Sequence, residues 1–294
     1  MIKLINFQGL NCYYNCILSI ANYLGADYVQ ALASLWSETD FKYDAIREVF
    51  LTKRLFKDLQ IMGVEFENMF LDENSEKEAD SAFKSIGDGE LVIIGMDAFY
   101  IPWNPLYTLH HGPHYFFCKI LAEKREWLTC YDPTYDSEGM EISFRELSAH
   151  IFDISKMFRI EKSHTEKKIS LKSEAQRVLL SDDNLKKKLI DNIALCKNKH
   201  REGALIIARY VDALINNRYM YRHCLKKQQE QDEKSNLFFC SEFFLKWTAI
   251  KNGLYKASFC SKNEEILSEI ENLLNEVINM EETFARSVTA KKET

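Results

Sequence analysis

A cysteine, a histidine and an aspartate, far apart in the chain, each stand at the end of a patterned segment. Cys12 opens the run CYYNCILSIANYLG, His114 lies in GPHYFFCKIL, and Asp132 lies in WLTCYDP. A thiol beside an imidazole that is itself oriented by a carboxylate makes cysteine a nucleophile for acyl groups. The chemistry therefore depends on whether the flanking elements can bring these three side chains together.

The first element is a helix. After Cys12, apolar residues fall at Ile17, Ile20, Ala21 and Leu24, the stripe of a half-buried helix, and Gly25 follows as a residue past the helix C-terminus should. Cys12 then sits at the helix N-terminus, where unpaired N–H groups and the macrodipole favour an anion. A thiolate is such an anion, and it is the attacking species. Asn11 or Asn15 is placed to hold the turn.

The second element is a hairpin. Residues 114–121 and 127–132 are short β-branched or aromatic runs joined by the polar segment 122–126. A pairing centred near residue 123 sets His114 directly opposite Asp132, and opposed residues of an antiparallel pair point to one face. Asp132 can then orient His114, which accepts the proton of Cys12.

On these residues the chain resembles two related families. The segment from Cys12 to Gly25, with GPHY and YDP, is similar to the bacteriocin-leader (double-glycine) cysteine peptidases. MDAFYIPWNPLY (96–107) followed by His110, His111 and His114 resembles the N-terminal domain of the butirosin-biosynthesis protein H acyltransferases. Those acyltransferases also carry a mostly helical C-terminal half. The resemblance implies an α+β, papain-like cysteine peptidase fold over residues 1–162; the polar, apolar-poor segment 163–174 reads as a linker, and 175–294 as an all-helical domain. It implies Cys12, His114 and Asp132 as a catalytic triad. The peptidases place an oxyanion-hole glutamine farther upstream of the cysteine than Gln8 stands here, and Asn11 replaces their usual aspartate. Either Gln8 or Asn11, together with the backbone N–H of Cys12, is the expected oxyanion donor.

The expected function is acyl transfer. An acyl thioester, carried by an acyl carrier protein or a small thiol, would load Cys12 and then pass to an amine or similar acceptor, a small molecule or a peptide. The next reading is a cysteine hydrolase acting on a peptide, amide or thioester, and the third is a silent scaffold that binds a protein or peptide. Lys53, Arg54 and Lys57, clustered on one expected helix, would offer a carrier protein a local basic patch.

The segment 99–107, with Pro102 and Pro105, cannot be a helix or a central strand. It either walls a substrate cleft, with Tyr100, Trp103, Tyr107 and His111 as binding residues, or simply covers the sheet. Asp97 would hold a substrate amine or cap a turn. His110, His111 and His114 lack the paired spacing of a structural zinc site, so no metal and no cofactor is expected. The other seven cysteines read as buried free thiols.

Apolar content of 46% and charged content of 28% are those of a globular protein, and 294 residues suffice for two cores. A net charge of −6 argues against nucleic acid as the main partner. No secretory pattern appears and no apolar run reaches the ~20 residues that span a bilayer, so a cytoplasmic protein with reduced cysteines is expected. Residues 41–63 read as a helix ending at Gly63, 91–96 as a strand covered on both faces, 142–152 as a short helix, and 156–161 as a last strand. Beyond 175 the absence of proline suits long helices. There Ile266, Ile270, Leu273, Val277 and Met280 form a packing stripe, and Ser261 with Glu264 makes a capping box.

Overall fold

The computed structural model describes residues 2–44, 49–71, 76–121, 126–161, 170–197, 201–228, 236–260 and 263–290. The chain begins with helices α1 (Cys12–Tyr23) and α2 (Tyr28–Ala31), strands β1 (Phe41–Asp44) and β2 (Val49–Thr52), and helix α3 (Lys53–Ile61). Strand β3 (Val64–Leu71), helix α4 (Glu76–Lys84) and strands β4 (Leu91–Asp97), β5 (Pro113–Lys119), β6 (Trp127–Asp132) and β7 (Ser137–Ser143) follow. Helix α5 (Phe144–Ser148) and strand β8 (Ile151–Arg159) precede four long helices: α6 (Leu171–Lys197), α7 (Arg201–Gln228), α8 (Ser241–Phe259) and α9 (Glu264–Ala290). The protein is thus α+β, with an antiparallel sheet and a helical C-terminal region.

Two compact units divide the chain, and neither is continuous. One comprises residues 1–28 and 56–166, the other 29–55 and 167–294. Residues 29–55 therefore belong with the helices, which differs from a single change of domain at 163–174. Most of that expected linker, 163–169, lies outside the described residues, and α6 already starts at Leu171.

In the first unit six strands pair antiparallel in the order β3-β8-β4-β5-β6-β7. Strand β4 is central and buried along Leu91–Met96, as its continuous apolar run requires. Helix α1 packs on one face, where Tyr13 meets Tyr115 edge-on at 4.9 Å. Phe83 of α4 and Leu147 of α5 join Ile94, Phe116 and Ile154 on the other. Gly95 is required at its place in β4: a Cβ there would come within 2.6 Å of the Phe152 ring and 2.8 Å of the Tyr115 ring. Helix α1 ends in a Schellman turn. Ala26 N–H donates to the Ala21 carbonyl at 2.9 Å, Gly25 N–H donates to the Asn22 carbonyl at 3.0 Å, and Gly25 takes φ +78°.

The expected hairpin is β5–β6, but its register is corrected. Cys118 pairs with Cys130 and Phe117 with Tyr131, so His114 is not directly opposite Asp132. The pairing is displaced by an even number of residues. Because side chains alternate with period two, His114 and Asp132 still share a face. Most of the connecting turn, 122–125, lies outside the described residues.

Two helical expectations are also corrected. Residues 41–63 form the hairpin β1–β2 and only then a helix, α3, with Gly63 following at φ +87°. The aromatic residues decide this. Phe41 and Phe50 both meet the ring of Tyr210 edge-on, at 5.3 and 5.4 Å, and Tyr43 lies 4.9 Å from Phe50. Tertiary packing overrides the local helical pattern. Residues 142–152 hold a single helical turn, α5, capped by a Ser143–Glu146 capping box, between the ends of β7 and β8.

The second unit packs α6–α9 and the β1–β2 hairpin around an apolar core with one buried ion pair. Arg218 Nη2 lies 2.8 Å from Glu281 Oε2, and both side chains are fully buried. Trp36 and Trp247 donate their indole N–H groups to the same carboxylate at 3.3 and 3.1 Å, so the buried charge is saturated with donors. The α9 stripe is core packing: Ile270 and Val277 are buried, and Ile266, Leu273 and Met280 flank them. Ser261 of the expected capping box lies outside the described residues, as does most of the charged run 226–234. Among the described residues no helix is long and apolar enough to cross a membrane.

Candidate active site

Cys12 occupies the first position of α1. Asn11 precedes it in extended conformation, and its side-chain carbonyl accepts the Tyr14 N–H at 2.9 Å. Asn11 is therefore the N-cap that opens the helix at the cysteine. Its oxygen is committed to the cap, and only its amide nitrogen remains to meet an oxyanion. Gln8 lies exposed in the segment before α1, separated from it by Gly9 at φ +92°.

His114 projects from the start of β5 and Asp132 from the end of β6. Nε2 of His114 lies 2.7 Å from Oδ2 of Asp132, and the same imidazole interacts with the side chain of Cys12. With Nε2 facing the carboxylate, Nδ1 is the ring nitrogen left for sulfur. The three residues expected from the sequence are brought together within the first unit. His114 is only 5% exposed, and burial by itself disfavours its charge. The hydrogen bonds to Asp132 and Cys12, and the negative charge at both, outweigh burial and push its pKa up from 6.5 to about 9.

Asp132 is fully buried and accepts more than the histidine. Trp103 Nε1–H donates to Oδ2 at 3.0 Å, and the backbone N–H of Thr134 donates to Oδ1 at 3.1 Å. The buried carboxylate's hydrogen-bonding capacity is thereby satisfied by protein donors. Trp103, in the segment expected either to wall a substrate cleft or to cover the sheet, donates to the residue that orients the base. It packs edge-on against Phe116 at 5.2 Å.

Thr134 ties the carboxylate's turn to the nucleophile's helix. Its hydroxyl accepts from Asn15 Nδ2 at 3.3 Å, and its carbonyl accepts from Asn6 Nδ2 at 3.1 Å. Asn15 lies one turn beyond Cys12 on α1, so it fixes the relative position of Cys12 and Asp132 rather than the turn at Cys12. Tyr135 completes the surroundings, its ring stacked on His114 with centroids 5.3 Å apart. Thr134 and Tyr135 were not singled out by the sequence. Their only signal is their place directly after Asp132-Pro133, which no periodicity marks.

The remaining expected binding residues are held by local contacts. Asp97 accepts the N–H groups of Phe99 and Gly112 at 3.1 and 3.0 Å, and its Oδ2 lies 2.6 Å from His111 Nδ1. Burial would raise its pKa, but these bonds hold it below the ordinary carboxylate value. Asp97 thus closes the loop at both ends, the turn-capping alternative for this residue. The His111 ring stacks on Phe99 at 4.4 Å, and Tyr100 stacks on His150 at 3.4 Å. Tyr107 is 43% exposed. His111 and His114 thus turn to different aspartates.

Among the other thiols, Cys16 is fully buried, and burial, followed by the charges of Asp132 and Cys12, raises its pKa well above the ordinary thiol value. Cys16 is therefore no rival nucleophile. The chain matches no protein-family model and no curated protein.

Proposed function

We propose that this protein is a cysteine-dependent acyltransferase with a papain-like catalytic unit. Cys12 takes an acyl group from a thioester and delivers it to an amine or similar acceptor. The observation that carries this reading is the convergence of three side chains: the His114 imidazole is bonded to Asp132 at 2.7 Å and interacts with Cys12, which stands at the start of α1. A helix that begins at the cysteine, packed on an antiparallel sheet that supplies the histidine and the aspartate, supports the papain-like arrangement. An imidazolium beside sulfur stabilises a thiolate against a thiol.

In the first step the Cys12 thiolate attacks the carbonyl carbon of the acyl thioester. The C–S bond to the donor breaks, and the departing sulfur takes the proton held by His114. Neutral His114 then removes a proton from the acceptor amine as its nitrogen attacks the Cys12 thioester. The amide forms, and Cys12 leaves as a thiolate with the imidazolium restored. Aminolysis of a thioester runs downhill, so no further driving force is needed. Asp132 keeps the imidazole oriented throughout, and Trp103 and Thr134 hold Asp132 in place.

The choice of transfer over hydrolysis rests on the resemblance of residues 96–114 to the antibiotic acyltransferases. The donor is an acyl carrier protein or a small acyl thioester. The basic patch expected for carrier docking does not support that choice. Lys53 pairs with Asp40 at 2.7 Å, and Arg54 turns its guanidinium to the Ser34 carbonyl and the Ser37 hydroxyl.

The test is incubation with a short acyl thioester, followed by mass spectrometry of the intact chain. An adduct on Cys12 that persists until an amine is added, and that Cys12→Ala abolishes, is the expected result. An adduct lost to water at once, or cleavage of peptides with the thioester ignored, assigns the site to hydrolysis.

A further inference from the structure

Helices α6 and α7 and strand β2 line a half-open cavity of about 420 Å³ in the helical unit. That volume lies within the range of roughly 300–1,000 Å³ that holds small ligands. Its inner wall is apolar, with Leu189 and Ile207 buried and Phe50 partly buried. Its opening carries exposed hydrocarbon. Leu195 and Ile206 line the opening while 62% and 45% exposed, so covering them removes hydrocarbon from water.

Among the described residues that line this cavity, Lys188 is the one cation. Lys188 Nζ lies 4.6 Å from the centre of the Tyr210 ring, and both residues line the space. Among the described residues no carboxylate lies within 4.0 Å of the Lys188 ammonium. Asp40 feels its charge but is bonded to Lys53 at 2.7 Å. A largely apolar chamber, with hydrocarbon at its opening, Asn192 as its one amide among the described residues and Lys188 over an aromatic ring, suits a linear amphiphile with one anionic head. A nucleotide or a sugar phosphate would need more polar groups than this wall provides.

We propose that this cavity binds a medium-chain fatty acid, with its aliphatic tail against Leu189 and Ile207 and its carboxylate on Lys188. Every residue invoked belongs to the helical unit, so the inference stands apart from the chemistry of Cys12.

The experiment is isothermal titration calorimetry of the full chain with decanoate and with 1-decanol at neutral pH. Decanoate binds saturably at one site. Lys188→Gln weakens decanoate roughly tenfold, the size of one charge-assisted contact, and leaves decanol within about twofold. Leu195→Glu, a change at the exposed rim, weakens decanoate at least as much by setting like charge at the opening. Ile207→Trp fills the chamber and removes binding of both ligands, with circular dichroism to establish that the variant is folded. Absence of saturable decanoate binding overturns the proposal. So does a Lys188→Gln variant that weakens both ligands equally, or a Leu195→Glu variant that binds decanoate as the parent does. The two surface substitutions keep the test decisive even where Ile207→Trp does not fold.

Discussion

Trp103 and His114 meet on a single atom: Oδ2 of Asp132 receives the indole N–H at 3.0 Å and faces the imidazole at 2.7 Å. The loop 99–107, interrupted by Pro102 and Pro105, is thereby connected to the site through a buried carboxylate. Trp103→Phe keeps most of the ring volume and deletes one donor to a buried charge. It is expected to lower stability by about 1.5–3 kcal/mol, read as a shift in urea midpoint. A variant as stable as the parent would show that the indole contributes packing alone.

Cys12 is expected to be the first thiol alkylated by limiting iodoacetamide near pH 6–7. It alone combines a helix N-terminus, partial exposure and an imidazole partner. The competitors with access to solvent are Cys240 and Cys260, while burial raises Cys16, Cys130 and Cys196 above the ordinary thiol pKa. Peptide mapping that finds Cys240 or Cys260 modified first defeats the assignment.

Asp132→Asn preserves the shape of the turn and removes the charge that orients His114. Turnover of an acyl thioester should fall by a factor of order 10 to 10⁴. The alkaline limb of kcat/KM reports the imidazolium that protonates the departing thiol, and it should lie near pH 9 in the parent. In Asp132→Asn that limb should move down toward 6.5, because the bond to Asp132 is the first influence raising the value. A limb that stays in place would separate Asp132 from the base.

His114 also links stability to pH. Its folded-state value of about 9 lies above the ordinary 6.5, so its contribution is fully present below pH 6.5 and is lost as the pH rises through about 9. The loss amounts to roughly 3 kcal/mol at most. Urea midpoints taken between pH 6 and pH 10 should fall across that window in the parent, and His114→Gln should flatten the decline.

In the helical unit, Arg218→Met leaves Glu281 buried with its two indole donors and no countercharge. The expected loss is about 3–5 kcal/mol, measured by denaturant titration. Replacing both partners with apolar residues should recover part of it, and a double variant no better than the single one would contradict this account.

The nucleophile's helix was legible in the sequence because its signals are local. The stripe from Ile17 to Leu24 and the glycine at 25 reappear as α1 and its Schellman turn. The hairpin strands were legible for the same reason, but their register was not, since a turn sets it and strand composition does not. His114 and Asp132 survived that error only because the displacement is even. The hairpin at 41–52 was misread because Phe41 and Phe50 answer to Tyr210, which lies far along the chain. The contact of Trp103 with Asp132 is not legible in the sequence for a similar reason. An irregular loop carries no period, and only the folded unit shows that its indole reaches Asp132.

Residues 29–55 have a consequence for how the molecule can be made. They leave the ribosome long before the helices that receive Trp36, Phe41 and Phe50. Until α7 and α9 are synthesised, the indole of Trp36 has no Glu281 to meet, and the hairpin rings have no Tyr210. The helical unit can therefore close only after translation has passed its last helix. A polypeptide started at residue 167 would lack part of its own core, and no single cut or recombination point separates the two units cleanly.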